Sequence, residues 1–332
     1  MSENIKPLLP SIEQIASSYE KCYEKENRKV LSIILNSSIP KLRKWIVEYR
    51  LTYLNQEGKK EEEFLIGKKF SDQEKGNDSF RVLQYLWENG MGTDSSYTII
   101  RPIAYYESCM MLLMTKASGE SLKNCLNSDD NHIRLALLIA SWLRKLHSMP
   151  VAELRETKRT RAEADITRFY QELTMMLPEK GERLKALYDG LLTTSQNPWA
   201  GKHVMLHGDF HLENLFVDNN QVTAIDFDHH FSGDAAWDVA YLTCQLQVLG
   251  FLKKGDFQFF KSFIHSFIET YLLYTSEQYR LEFFKRISLY RARSLFESLH
   301  YELCVLHSGN SEIGDVFLHE CENLLKGVKF LE

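Results

Sequence analysis

Polar and apolar residues alternate along the first third of the chain and recur at helical spacing afterwards, with the change near residue 115. Arg43–Leu54 (RKWIVEYRLTYL) is rich in Trp, Ile, Val, Tyr and Thr and alternates along much of its length. A polar, glycine-containing segment, Asn55–Lys60, follows it, and then Phe64–Phe70 (FLIGKKF), which together predict a hairpin. Val30–Leu35 predicts an earlier strand, and Ile99–Ile103 and Met110–Met114 predict two later ones. Phe80, Leu83 and Trp87 recur at helical intervals, so one main helix follows the hairpin.

Beyond residue 120 the periodicity is helical. Asp129, Asp130 or Asn131 is positioned to cap a helix that runs to His147, and further helices are predicted near 162–195, 256–275 and 277–307. The aromatic residues of the last two, among them Phe260, Phe263, Phe267, Phe283 and Phe296, read as core stripes. The exception is Val204–Ala240, where short strand-like segments are separated by charged turns. An island of strand and loop inside a helical region is where chemistry concentrates.

Length and composition narrow the class. A chain of 332 residues is sufficient for two domains or lobes. It is 44% hydrophobic and 26% charged with 16 Gly and 7 Pro, which excludes collagen-like and largely disordered chains. A net charge of −5 argues against nucleic acid or a membrane surface as the main partner. The six cysteines are scattered without a C-x-x-C pair, as expected of free thiols in a reducing cytosol. The start of the chain lacks an apolar signal region, and no apolar run approaches the ~20 residues that span a bilayer, so a cytoplasmic protein is expected.

The island reads HGDFHLENLFVDNNQVTAIDFDHHFSGDAAWDVAYL from His207 to Leu242. Phosphoryl transfer from ATP needs a carboxylate to orient the attacking hydroxyl, oxygen ligands for Mg²⁺ and a cation on the phosphates. Asp209 suits the first role, and Asn214 and Asp226 suit the second. The D-x-x-x-x-N spacing followed by a strand-borne Asp-Phe has the order of the catalytic and metal loops of protein kinases.

This segment resembles the aminoglycoside phosphotransferase and choline kinase-like superfamily, whose signature runs H-G-D-x-H-x-x-N, then I-D-F/W, then G-D-x-x-x-D-(L/V)-A. Here these are His207–Asn214, Ile225-Asp226-Phe227, Gly233-Asp234 and Asp238-Val239-Ala240. The resemblance implies an α+β, bilobal protein-kinase-like fold. A small β-rich lobe with one main helix would span 1–115 and bind nucleotide, and a larger, mostly helical lobe would span 116–332, with a hinge at about 111–119. It implies ATP and Mg²⁺ as cofactors, Asp209 as catalytic base, and Asn214 and Asp226 as magnesium ligands. His207 would shape the loop, and Asp238 would accept hydrogen bonds from it.

The resemblance extends weakly toward the N-terminus. The family's ATP lysine falls at Lys68 or Lys69, and Lys68 shares a strand face with Phe64, Ile66 and Phe70, which favours it. Backbone groups near Thr115–Ala117 would meet the adenine. No glycine-rich loop lies between the early strands; Ser37-Ser38-Ile39-Pro40 is the candidate to cover the phosphates. The helix after Lys68 offers no glutamate at the expected place, near Ser79 or Arg81, and Glu74, Asp78 and Glu88 stay open as its partner.

The function expected is an ATP- and Mg²⁺-dependent kinase of a small-molecule hydroxyl. One alternative is a catalytically silent kinase-like binding protein. The other is a metal-dependent hydrolase with His207, Asp209, His211 and Asp226 as ligands, which leaves Asn214 without a role. Asp228 reads equally as a second metal ligand or a turn cap, and His229 and His230 as exposed. Arg155, Lys158, Arg159 and Arg161 read as a solvated face. Glu282, Glu297 and Glu302 offer charge to a cationic substrate but read first as solvated carboxylates. Acidic and basic residues nearly balance over 151–200 and 276–332, so charge does not name the acceptor.

Overall fold

The computed structural model describes residues 8–41, 44–92, 96–128, 132–151, 159–195, 201–308 and 311–327. The expected caps Asp129, Asp130 and Asn131 lie outside the described residues, as do Arg43, Arg155 and Lys158 and the side chains of Arg159 and Arg161. The chain opens with α1 (Ile12–Cys22), β1 (Lys29–Lys41), β2 (Lys44–Leu54), β3 (Lys60–Lys69) and α2 (Gln73–Leu86). Next come β4 (Tyr97–Ile99), β5 (Pro102–Tyr106), β6 (Met111–Thr115) and β7 (Glu120–Ser121). Four helices follow: α3 (Leu122–Ser128), α4 (His132–Ser148), α5 (Arg159–Met176) and α6 (Gly181–Ser195). The island supplies β8 (Val204–Leu206), β9 (Leu215–Asp218), β10 (Gln221–Ala224) and β11 (Phe231–Gly233). The chain continues through α7 (Ala236–Lys254), α8 (Lys261–Tyr271), α9 (Glu277–His300) and α10 (Ser311–Leu325).

Two compact units result. The first is Met1–Glu120 joined by Phe216–Asp228, and the second is Ser121–Leu215 with His229–Glu332. The first unit thus recruits a segment from the middle of the island, which carries Asp226 and Asp228.

In the first unit a five-stranded antiparallel sheet runs in the order β1-β2-β3-β6-β5. Alternation on β2 buries Val47, Tyr49, Leu51 and Tyr53, which pack with Ile15 and Tyr19 of α1. A capping box between Ser11 and Gln14 starts that helix. Strand β3 is covered on both faces toward its end: Leu65 is fully buried against this core, and on the opposite face Phe64 is 37% exposed but Lys68 and Phe70 are only 4% and 3% exposed. Gly67 is on the core face because a Cβ there would lie 2.8 Å from the Met111 sulfur.

Two expectations change here. Ser37–Pro40 is not a loop but part of β1, with Ser37 opposite Glu48 and Pro40 opposite Trp45. Pairing continues to Lys41 opposite Lys44, which leaves only two residues of connection. The strand read at Ile99–Ile103 is two strands in different sheets. β4 pairs in parallel with β10, and β5 pairs antiparallel with β6, because Pro102 starts a new strand where the chain changes partner.

The second unit is helical. Residues of α5, α6, α7, α9 and α10 build one core that includes Leu173, Leu184, Leu295, Phe296 and Phe317. Near 162–195 the single periodic stretch is two helices, broken at Leu177-Pro178. Helix α7 has no counterpart among the sequence-derived elements, because it is buried on nearly every side and has no amphipathic stripe to read. Among the described residues no helix is long and apolar enough to cross a membrane.

Candidate active site

The second unit carries the loop from His207 to Asn214, which connects β8 to β9. Asp238, in the first turn of α7 and fully buried, organises its start. Its Oδ2 accepts the main-chain N–H of His207 at 2.8 Å, and its Oδ1 accepts that of Gly208 at 3.0 Å. The same carboxylate meets His147 Nε2 at 3.2 Å, and His147 Nδ1 meets the Tyr271 hydroxyl at 2.7 Å. A buried carboxylate that accepts several donors is both stable and rigid.

Gly208 has φ +80°, and a Cβ built there would lie 2.0 Å from the His229 carbonyl oxygen. Only glycine permits that conformation together with that approach. Phe210 anchors the next stretch. It is fully buried and stacks on Trp142 at 5.6 Å between ring centroids, a burial that contributes about 2–3 kcal/mol.

Asp209 sits between these fixed points. Asn214 Nδ2 donates to its main-chain oxygen at 3.0 Å and approaches its Oδ2 at 3.4 Å, and His211 Nε2 lies 3.5 Å from Oδ2. Burial alone pushes the Asp209 carboxyl up. The hydrogen bond and charge of His211, with the nearby His229 and His207, outweigh that and hold it at about 2. The carboxylate is therefore ionised at neutral pH and can accept a proton or orient a hydroxyl. Because its NH₂ is committed to Asp209, Asn214 has its amide oxygen, a hard donor of the kind magnesium prefers, on the other side.

Asp234, of the Gly-Asp pair ahead of α7, accepts the Ala236 N–H at 3.1 Å and the Arg286 guanidinium at 2.8 Å, so it braces the start of α7. His207, Asp209 and His211 do not form a cluster of metal-ligating spacing among the described residues; the one such group is Glu172, His300 and Cys304. Of the acids considered for a cationic substrate, Glu282 pairs with Lys285 and Glu297 with Arg293.

The first unit brings Lys68 and Asp226 together. Lys68 is 4% exposed, and its Nζ lies 2.7 Å from Asp226 Oδ1 and 2.7 Å from Asp228 Oδ2. Lys69 instead meets the carbonyl of Cys109 at 3.0 Å. Asp226 has φ +63°, an uncommon conformation that places its carboxylate just past β10. A carboxylate at this turn is a suitable magnesium ligand by its donor chemistry. Ser37 and Ser38 lie within β1. Thr115 and Lys116 give their N–H groups to the carbonyls of Arg101 and Phe64, whereas the N–H of Ala117 has no partner among the described residues.

Three groups take roles that sequence reasoning did not assign. Asp228, read as a second metal ligand or a turn cap, has a side chain 2% exposed and bonded to Lys68, Lys44 and Ser79. Lys44 had no signal at all, being one lysine among several. His229 contributes both the carbonyl against Gly208 and charge near Asp209.

A β-sheet N-terminal region, a helical C-terminal region and this motif order define a protein-kinase-like phosphotransferase fold. The model of the family "Phosphotransferase enzyme family" matches residues 50–281, and the chain belongs to that family. No curated protein sequence matches it. Among solved structures, aminoglycoside phosphotransferase APH(4)-Ia is 15% identical, with TM-score 0.56 over 95% of this chain and 99% of that one. The streptomycin–ATP ternary complex of APH(2″)-IIa is 15% identical, with TM-score 0.52 over 96% and 99%. A thermostable APH(4)-Ia mutant with AMP-PNP and hygromycin B is 13% identical, with TM-score 0.55 over 96% and 99%.

Proposed function

We propose that this protein transfers the γ-phosphoryl group of ATP to a hydroxyl of a small molecule. The observation that carries the reading is the loop His207–Asn214. Its two leading N–H groups are clamped by Asp238, and Asn214 fixes Asp209 from the other side. Holding one ionised carboxylate this firmly is what an in-line displacement requires, since most of its catalysis is positioning.

In this reading Asp209 orients the acceptor hydroxyl and accepts its proton. Lys68 binds the phosphates, Asn214 and Asp226 hold magnesium, and the main chain near Thr115–Ala117 receives the adenine, with the N–H of Ala117 available to it. Magnesium, when bound, neutralises charge on the transferring phosphate. A nucleotide-binding region up to about residue 115, followed by a catalytic and acceptor-binding region, is the working division of labour. The acceptor is proposed only as a small-molecule alcohol.

The test is ADP release with Mg²⁺-ATP across a panel of amino sugars, amino alcohols and sugar alcohols. Acceptor-dependent release is expected for one class. Absence of release for all of them, together with no binding of Mg²⁺-ATP by calorimetry, contradicts the proposal.

A further inference from the structure

The two departures from the kinase pattern, no glycine-rich loop and no helix glutamate opposite Lys68, meet at one point in the first unit. Asp228 Oδ2 lies 2.7 Å from Lys68 Nζ and 2.6 Å from Lys44 Nζ. Its other oxygen accepts the Ser79 hydroxyl at 3.2 Å, from the α2 position where a glutamate was expected. Lys44 also reaches Asp226, at 3.7 Å. One buried carboxylate thus gathers two ammonium groups and a hydroxyl.

Neutralising Asp228 takes one cation, and Lys68 already supplies it. Lys44 is the first residue of β2, immediately beyond the short connection from β1, and its side chain is 29% exposed. Once Asp226 serves a metal ion, two lysines share the single remaining carboxylate, and the surplus charge is positive. A polyanion is the ligand that such a surplus favours.

We propose that Lys44 is a second phosphate-anchoring lysine, and that Asp228, braced by Ser79, is the positioning residue that holds Lys44 and Lys68 together. The inference rests on the kinase reading above. It assigns the work of the missing glycine-rich loop to a side chain and that of the missing glutamate to Asp228.

Calorimetry on the full chain with Mg²⁺-ATP and with adenosine tests it. Lys44→Ala is expected to weaken Mg²⁺-ATP roughly ten- to hundredfold and leave adenosine unchanged. Lys44→Arg is expected to restore most of the affinity. Ser79→Ala, which leaves both ion pairs, is expected to weaken ATP by a smaller factor, again without affecting adenosine. Thermal melting establishes that each variant is folded; Lys44→Ala retains the Lys68–Asp228 pair. Unchanged ATP affinity in Lys44→Ala, or an equal loss for adenosine, overturns the proposal. If the unaltered chain binds no Mg²⁺-ATP, the kinase reading itself falls and the inference with it, a result distinct from failure of Lys44 alone.

Discussion

The carboxylate of Asp238 accepts the main-chain N–H of His207 at 2.8 Å, across 31 residues of sequence, and the same group takes the N–H of Gly208. These bonds tie the His207–Asn214 loop to helix α7, so the loop's shape depends on a residue outside it. Replacement by asparagine keeps the volume but sets an NH₂ against one N–H donor in either orientation. Asp238→Asn and Asp238→Ala are expected to cost about 3 kcal/mol of stability, with a loss of turnover larger than the fraction unfolded accounts for. Denaturant unfolding and turnover on the same samples check this.

Gly208 gives a sharper version of the same dependence. Adding only a methyl group would bring Cβ to 2.0 Å from the His229 carbonyl oxygen in a left-handed backbone conformation. Gly208→Ala is expected to destabilise the protein by at least about 1–3 kcal/mol and to displace Asp209. A variant that melts and turns over like the unaltered protein would contradict this loop geometry.

Ionisation of Asp209 sets a pH dependence. Its carboxyl is lowered from 3.8 to about 2, so it contributes stability above its unfolded value and loses it as pH falls through its folded one. The contribution is about 2 kcal/mol. The stability difference between the unaltered protein and Asp209→Asn is expected to be constant above pH ~5 and to close between pH ~4 and ~2. Unfolding curves of the two proteins over that range measure it. Any acid limb in turnover above pH ~5 is expected to belong to another group.

How much of this was legible in the sequence depended on how local each signal was. The loop's residues lie within a few positions of one another, so spacing alone grouped Asp209 with Asn214. Strands β2 and β3 were legible from alternation, and Lys68 is buried on the face expected of it, but the burial of Leu65 on the opposite face was not legible, since Ile66 and Leu65 are equally apolar and only packing separates them. Helix α7 was hidden because burial on all sides erases periodicity. The partner of Lys68 was sought nearby on α2, whereas Asp226 and Asp228 arrive from far along the chain on a segment that folds into the first unit. No spacing rule encodes such a contact.

The central claim is that Asp209 orients an acceptor hydroxyl for attack on ATP, and one comparison tests it most directly. ADP release by the unaltered protein and by Asp209→Asn is measured with Mg²⁺-ATP and the acceptor that supports turnover, alongside ATP affinity by calorimetry. The account predicts a fall in turnover of roughly 10²–10⁴-fold with ATP affinity retained. Undiminished turnover in the folded variant would contradict it.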